Sequence, residues 1–567
     1  MRFNPASRIK ILSFFVIACA VVLIARLYFL QVIYSQPLRL KADHQYTSSG
    51  QNIFDRGSIF FVDKNGARTS AATVKSGFFL SVNPKLVTSA EEYYKKISAI
   101  APIDHTTFIQ KATKPNDSYE EIVHRLTADQ ATAITALNLQ GVNLYTEQWR
   151  FYPGATMAAQ TIGFVGYKGD DLVGRTGLES SDESILARSS QNVYVNSFAQ
   201  MFSDLGGSST SGATGGDVVT TIEPTVQSFL DEQVEKVDKE YSSTMSGGII
   251  IDPKTGEIYA LGAYPTFDPN TYQTEKDSSV FINPLVENVY EMGSIVKALT
   301  MAAGLDAGVV TASSTYNDKG CETLNNKKIC NYDGRARGVI PMQEVLNQSL
   351  NLGAAYVESK LGNALFTKYL LAYGLGSKSG IDLPNEGKPL VNNLNSNRDI
   401  EHATASYGQG IAMSPIMITR ALSVLANGGT LITPHVTKEI DYLSGLSKAT
   451  PIIQGPQVIQ ASTSKEITRM LVNVVDNALL EGTVKQANYT IAAKTGTAQI
   501  AAPGGGYYSD RYLHSFFGYF PAYDPRFLVF LYTVYPKDVE YASHSLTEPF
   551  INVVKFLINY YQIPPDR

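Results

Sequence analysis

The apolar positions of this chain fall into distinct patterns, and each predicts a different element. Residues 11–34 are almost wholly apolar, with Arg26 the one charge in the run. About 20 such residues suffice to cross a bilayer as a helix. Arg26 can snorkel to an interface where Tyr28 and Tyr34 fit an aromatic belt. Thr221 to Val237 carries its apolar residues at helical spacing, with Pro224 near the first turn, and predicts an amphipathic helix. Gly247 to Ala263 reads as two apolar strands around the turn Asp252-Pro253-Lys254-Thr255-Gly256. Phe527 to Tyr535 is short and rich in β-formers, so it predicts a buried strand rather than a second span. From 35 to about 215 the pattern mixes short strand-like runs, a hairpin turn at Asn65-Gly66 and one helical patch near Ala90–Ala101. Residues 203–217 are rich in Gly, Ser and Thr, which predicts a flexible linker or long hairpin tip and a domain boundary near its end.

Position gives the first run its meaning. Arg2, Arg8 and Lys10 precede it, so the positive-inside rule puts residues 1–10 in the cytoplasm and everything after 35 outside it. A cleaved signal peptide is the rival reading, but no small-x-small site closes the run. An uncleaved single-pass anchor in the cell membrane is therefore expected over 11–34.

Composition then narrows the chemistry. The chain has 567 residues, 44% of them hydrophobic and 10% aromatic, enough for two to four domains with sizeable cores. A net charge of −5 leaves no basic face to expect, which argues against a nucleic-acid partner. With three cysteines, seven histidines and no Cys-x-x-Cys or His-Glu-x-x-His spacing, neither a metal nor a cofactor is expected. Cys321 and Cys330 bound a short loop. They could pair in an oxidising compartment or remain free thiols, because spacing does not give their separation.

Three short motifs carry candidate chemistry. In Gly293-Ser294-Ile295-Val296-Lys297 the serine and lysine are three apart, on one face of a helix start. A serine hydroxyl is a poor nucleophile until a neighbouring base takes its proton, and a desolvated lysine can be that base. Alone this is weak: Ser7–Lys10 and Ser462–Lys465 share the spacing. Ser349-Leu350-Asn351 offers a hydroxyl and an amide on a turn, although Ser81–Asn83 and Ser190–Asn192 match it. In Lys494-Thr495-Gly496-Thr497 a β-branched strand brings a lysine to an edge with two hydroxyls that can bind a carboxylate. Gly496 there lets the backbone lie against a ligand. Lys254-Thr255-Gly256 is a decoy in a hairpin turn. What distinguishes the set is its order, Ser-x-x-Lys, Ser-x-Asn, Lys-Thr-Gly, the serine acyl-transfer signature of penicillin-binding proteins and serine β-lactamases.

On these motifs the chain resembles a class B penicillin-binding protein, a monofunctional peptidoglycan D,D-transpeptidase. Arg56-Gly57-Ser58-Ile59, Arg150-Phe151-Tyr152-Pro153 and Gly177-Leu178-Glu179 are similar to that family's non-catalytic motifs. From the residues alone these three read as turns and ion pairs that lock a module together. Tyr407-Gly408-Gln409-Gly410, Leu425-Ala426-Asn427-Gly428-Gly429 and Phe516-Phe517-Gly518-Tyr519 resemble further stretches of its catalytic domain. Met292 stands where the family often has Pro, and Ala493 where it often has Gly.

The resemblance implies a multidomain α+β protein. It would comprise the transmembrane helix, a mostly β pedestal of the dimerisation type over 35–216, and a transpeptidase domain over 217–567 with an antiparallel sheet flanked by helices. It assigns Ser294 as nucleophile, Lys297 as its base, Ser349 as proton relay and Lys494 as the neighbour that lowers the Lys297 pKa. Asn351, Thr495, Gly496 and Thr497 would bind substrate, with the oxyanion hole at the backbone N–H groups of Ser294 and Thr497. Peptidoglycan stem peptides, inhibitory β-lactams, the membrane and a SEDS-type glycosyltransferase are the implied partners. A D,D-carboxypeptidase or β-lactamase would use the same serine, and a penicillin sensor or scaffold would keep the site without turnover. His514, on the strand expected beside the lysine, reads as a satisfied structural histidine.

Overall fold

The computed structural model describes residues 55–169, 171–188 and 215–567, so the expected membrane anchor at 11–34 and the 203–214 part of the Gly/Ser/Thr-rich segment lie outside the described residues. Among the described residues no helix is long and apolar enough to cross a membrane. They form two compact units, Val74–Trp149 with Asp55, and Arg56–Thr73 with Arg150–Arg567.

The larger unit opens with strand β1 (Ile59–Val62), which turns at Asn65-Gly66 into β2 (Arg68–Val82). Asp63 accepts backbone N–H groups from Asn65 and Ala67, and Gly66 takes φ +85°, the left-handed conformation that favours glycine. In the smaller unit the C-terminal half of β2 pairs with a strand at Glu120–Leu126, in the register Phe78↔Leu126. Helices Ala90–Ser98, His105–Ala112 and Ala128–Ala136 bury Ile97, Phe108 and Ile134 with Leu80 and Leu126 in one cluster. Three helices stand where one patch was expected, so this unit is mixed α/β rather than mostly β. The two additional helices are short, and begin at the side-chain caps Asp104 and Thr127 rather than at a long apolar period.

Back in the larger unit, β1 runs parallel to a strand at Gly216–Thr220, which pairs with Thr437–Tyr442. The expected amphipathic helix is α1 (Pro224–Glu240), capped by the Glu223 carboxylate on Val226 N–H with Pro224 in the first turn. The expected hairpin follows as β3 (Met245–Ile251) and β4 (Ile258–Tyr264), paired Ile249↔Leu261.

Both belong to the sheet that organises this unit. Its order is β5-β6-β7-β3-β4, where β5 is Ala492–Ala501, β6 is Tyr507–Phe520 and β7 is Phe527–Val534. All four pairings are antiparallel. Every residue from Phe527 to Thr533 is buried, which requires cover on both faces. Helix α1 and the C-terminal helix (Thr547–Tyr561) pack on one face around Phe516, Phe520 and Phe550. Helices Val296–Asp306, Pro415–Ala426 and Ala461–Asn473 cover the other, around Leu299, Leu422, Met470 and Phe517.

Candidate active site

The three motifs meet at the β5 edge. Gly293–Ile295 forms one turn of 3-10 helix that runs directly into the helix Val296–Asp306, placing half-buried Ser294 one turn before buried Lys297. Gly293 sits at φ +64°, and a Cβ there would come within 3.0 Å of the Thr497 carbonyl. Conversely, a Cβ on Gly496 would meet Met292 O at 2.8 Å and Ile295 N at 3.1 Å. The Lys-Thr-Gly strand therefore lies against the backbone that carries Ser294, and both contacts demand glycine.

Ser349 lies between the helices Met342–Asn347 and Asn351–Leu361 at φ +55°, a conformation rare for a residue with a Cβ. That turn aims its hydroxyl at two amines. Lys297 Nζ donates to Ser349 O at 2.5 Å and to Oγ at 3.3 Å. Lys494 Nζ donates to the same Oγ and to Thr495 O, both at 3.0 Å. No hydrogen bond among the described residues joins the Ser294 hydroxyl to Lys297; the amine is held by Ser349.

Burial pushes the Lys297 pKa well below the ordinary lysine range, and the neighbouring Lys494 charge adds to the shift. Burial alone brings Lys494 down to about 7. No carboxylate is among the charges that act on either amine. A lysine whose pKa is lowered by burial and whose amine is hydrogen-bonded to a hydroxyl is equipped to move protons.

The substrate-side residues are held from behind. Thr497 Oγ1 accepts the Ala542 N–H at 3.1 Å, which leaves its own O–H to donate. Asn351 Nδ2 donates to Cys330 O at 2.8 Å, and Leu352 N donates to Asn331 Oδ1 at 3.1 Å. Cys330 is disulfide-bonded to Cys321 across a two-stranded hairpin, so the open question of that pair resolves to a bridge that clamps the hairpin behind Asn351. His514 pairs with Thr497 in the sheet but is buried away from chemistry, bonded to Ser545 Oγ and Glu540 O; burial lowers its pKa to about 4.

Two participants carried no spacing signal. Ser515, fully buried on β6, donates to Met292 O at 2.8 Å and so ties the sheet to the residue before Gly293. Its one trace in the sequence is a polar residue inside the apolar run Leu513–Phe520. Gly408 accepts the Gly293 N–H at 3.1 Å, and the Tyr407 ring lies 6.0 Å from Lys297 Nζ.

Away from this site, the three pedestal motifs converge as the ion-pair reading anticipates. Arg56 and Arg150 donate to opposite oxygens of the fully buried Glu179 carboxylate at 2.6 and 2.5 Å, and Tyr152 Oη donates at 3.2 Å.

With this arrangement in place, comparison with known proteins is decisive for the family. Residues 247–555 match the penicillin binding protein transpeptidase domain, and residues 55–220 match the penicillin-binding protein dimerisation domain. The first match spans more than half of the chain, which belongs to the penicillin-binding protein transpeptidase family. Stage V sporulation protein D of Bacillus subtilis (strain 168) is 29% identical over 539 residues, covering 93% of this chain and 81% of that protein. A probable peptidoglycan D,D-transpeptidase FtsI of Caulobacter vibrioides is 28% identical over 489 residues, covering 85% and 76%. Penicillin binding protein 2X of Streptococcus thermophilus superposes with a TM-score of 0.72 at 18% identity, over 90% of this chain and 80% of that one. Penicillin binding protein 3 of Mycobacterium tuberculosis, complexed with aztreonam, gives 0.67 at 23% identity, over 90% and 97%. Identities this low establish the shared fold.

Proposed function

We propose that this protein is a peptidoglycan D,D-transpeptidase that cross-links stem peptides through an acyl-enzyme on Ser294. The observation that carries the reading is the convergence of two carboxylate-free lysine amines on Ser349, beside the strand edge packed on the Ser294 turn. Neutral Lys297 takes the Ser294 proton as Oγ attacks the carbonyl of the penultimate D-Ala. The developing oxyanion is held by the backbone N–H groups of Ser294 and Thr497. The C–N bond breaks, and the proton reaches the departing D-Ala amine through Ser349. An amine of a second stem peptide then attacks the ester, surrenders a proton to the same relay and frees Ser294. Thr495 and Thr497 bind the donor carboxylate, Gly496 keeps the strand flat against it, and Asn351 holds the donor amide. In a β-lactam the cleaved amide nitrogen stays tethered, so the reaction stops at the acyl stage.

The apolar run at 11–34 supports a single-pass anchor with a cytoplasmic N-terminus, the pedestal and catalytic domain lying outside the cytoplasm and reaching peptidoglycan made by a SEDS-type glycosyltransferase. Mass spectrometry of the protein after penicillin treatment tests the reading. One adduct on Ser294, absent in Ser294→Ala, and a cross-linked product from donor and acceptor peptides are expected. An adduct on another residue overturns the nucleophile; hydrolysed donor alone, with acceptor in excess, favours a carboxypeptidase.

A further inference from the structure

The His514 backbone pairs with Thr497, and the His514 ring holds the turn that holds the Thr497 hydroxyl. In the β5–β6 register the two residues lie directly opposite each other, so both side chains leave the sheet on the same face. The single helical turn Ala542–Ser545 packs over that face. Its first residue gives the Ala542 N–H to Thr497 Oγ1 at 3.1 Å. Its last residue, buried Ser545, has Oγ 2.8 Å from His514 Nδ1, and Glu540 O lies 3.1 Å from Nε2. The ring therefore grips the chain on both sides of Ala542.

The partners fix the direction of these bonds. A carbonyl can only accept, so Nε2 carries the proton and Nδ1 accepts from the Ser545 hydroxyl. Ala542 O, 3.5 Å from Ser545 Oγ, is the weaker alternative. Burial holds the ring neutral at neutral pH, the form with one donor and one acceptor that both bonds need. The chain leading into the turn supplies little of this order. Residues 535–541 belong to no helix or strand, Glu540 and Tyr541 are exposed, and Tyr535 and Asp538 stand at φ +54° and +60°. Tyr241 Oη adds one bond to the turn, to His544 O at 3.3 Å.

We propose that His514 is a positioning residue for the donor carboxylate. By fixing Glu540 and Ser545 it sets the Ala542 N–H. That N–H fills one lone pair of Thr497 Oγ1 and leaves the Thr497 O–H aimed at the carboxylate. Without the ring the turn is free to lift, and the Thr497 hydroxyl redistributes over its staggered rotamers. The Thr497 main chain does not depend on the ring, because the β5–β6 ladder holds it. The ring thus serves carboxylate binding and not the bond-making step. The inference rests on the reading that Thr497 binds the donor carboxylate.

The test compares a penicillin with its own methyl ester on the full chain, each read as a second-order acylation constant. The ratio of acid to ester reports on the carboxylate. His514→Ala is expected to lower that ratio about five- to tenfold through weaker initial binding of the acid, while the ester constant and the acid's acylation step stay within about twofold of wild type. Ser545→Ala removes one of the two bonds and should lower the ratio less. In a Thr497→Val background neither substitution should change it further, because the hydroxyl they position is gone. Equal losses for acid and ester, a slower acylation step with binding intact, or a further loss on top of Thr497→Val overturns the proposal. Should His514→Ala not fold, an unchanged ratio in Ser545→Ala overturns it as well. Two controls separate it from the reading beneath it. Labelling that survives Ser294→Ala defeats the nucleophile, and a ratio untouched by Thr497→Val defeats the carboxylate role of that residue. A ratio that falls with Thr497→Val but ignores His514 defeats the positioning role alone.

Discussion

At Glu179 two guanidinium groups, from Arg56 and Arg150, converge on one buried carboxylate; at Ser349 two lysine amines, from Lys297 and Lys494, converge on a neutral hydroxyl. Both clusters gather segments far apart in the chain, and both bury basic side chains. They differ in compensation. Around Glu179 opposite charge answers the cost of desolvation, and the Arg56 pKa ends above its usual value despite burial. Around Ser349 nothing of opposite sign does so, and both lysine pKa values fall. A compensated cluster locks residues in place, whereas an uncompensated one holds a group ready to exchange a proton.

The largest effect should come from emptying the uncompensated cluster. Lys297→Met is expected to slow acylation by a labelled penicillin by about a thousandfold or more, through loss of the base. A variant that acylated at more than a tenth of the wild-type rate would show that Lys297 is a structural cation after all.

Emptying the compensated cluster should cost stability instead. Glu179→Ala strands the Arg150 guanidinium in the interior and leaves Arg56 only the Glu183 carboxylate, and is expected to lower unfolding free energy by about 3–5 kcal/mol, read from denaturant midpoints. The folded fraction should acylate at close to the wild-type rate. If acylation fell while the midpoint held, the Glu179 cluster would serve the chemistry and not only the lock.

A subtler displacement is expected from Lys494→Met, because it changes charge near the base without removing it. Acylation needs neutral Lys297, so its rate rises with pH through the folded-state pKa of that residue. The Lys494 charge helps to depress that pKa, so its removal should move the rising limb to higher pH. Stability should shift in the opposite sense. Lys494 sits at about 7 in the folded chain, below an unfolded value of about 10.4. The folded state therefore resists the proton, at a cost that is full below pH 7 and fades as pH rises toward about 10.4. Lys494→Met should melt higher than wild type at pH 7, with the gap closing in alkaline buffer; an unmoved pH profile would remove the lysine–lysine coupling from the account.

Local pattern carried some elements a long way. The helix after Pro224, the hairpin around Asp252–Gly256 and the strand from Phe527 follow from periods and turn residues that act within a few positions. The short helices at His105 and Ala128 escaped because their stability comes from a shared cluster around Leu80 and Phe108 rather than from an apolar stripe of their own. Within the site, the order of the motifs made Ser294, Ser349 and Lys494 legible as a set. The roles of Ser515 and Gly408, which bind the same turn, were not legible because their partners are backbone atoms more than a hundred residues away.

The sequence by itself determined which groups this protein has to work with: a serine three residues before a lysine, a second serine at a turn and a lysine leading a threonine-glycine edge. Those depend on local covalent order. Only the tertiary structure decided that both amines share one hydroxyl without a carboxylate, that Cys321 and Cys330 are bonded, and that the Glu179 and Glu183 carboxylates answer the charges of Arg56 and Arg150. Charge compensation depends on distance and burial, and neither is written in the spacing of residues along a chain.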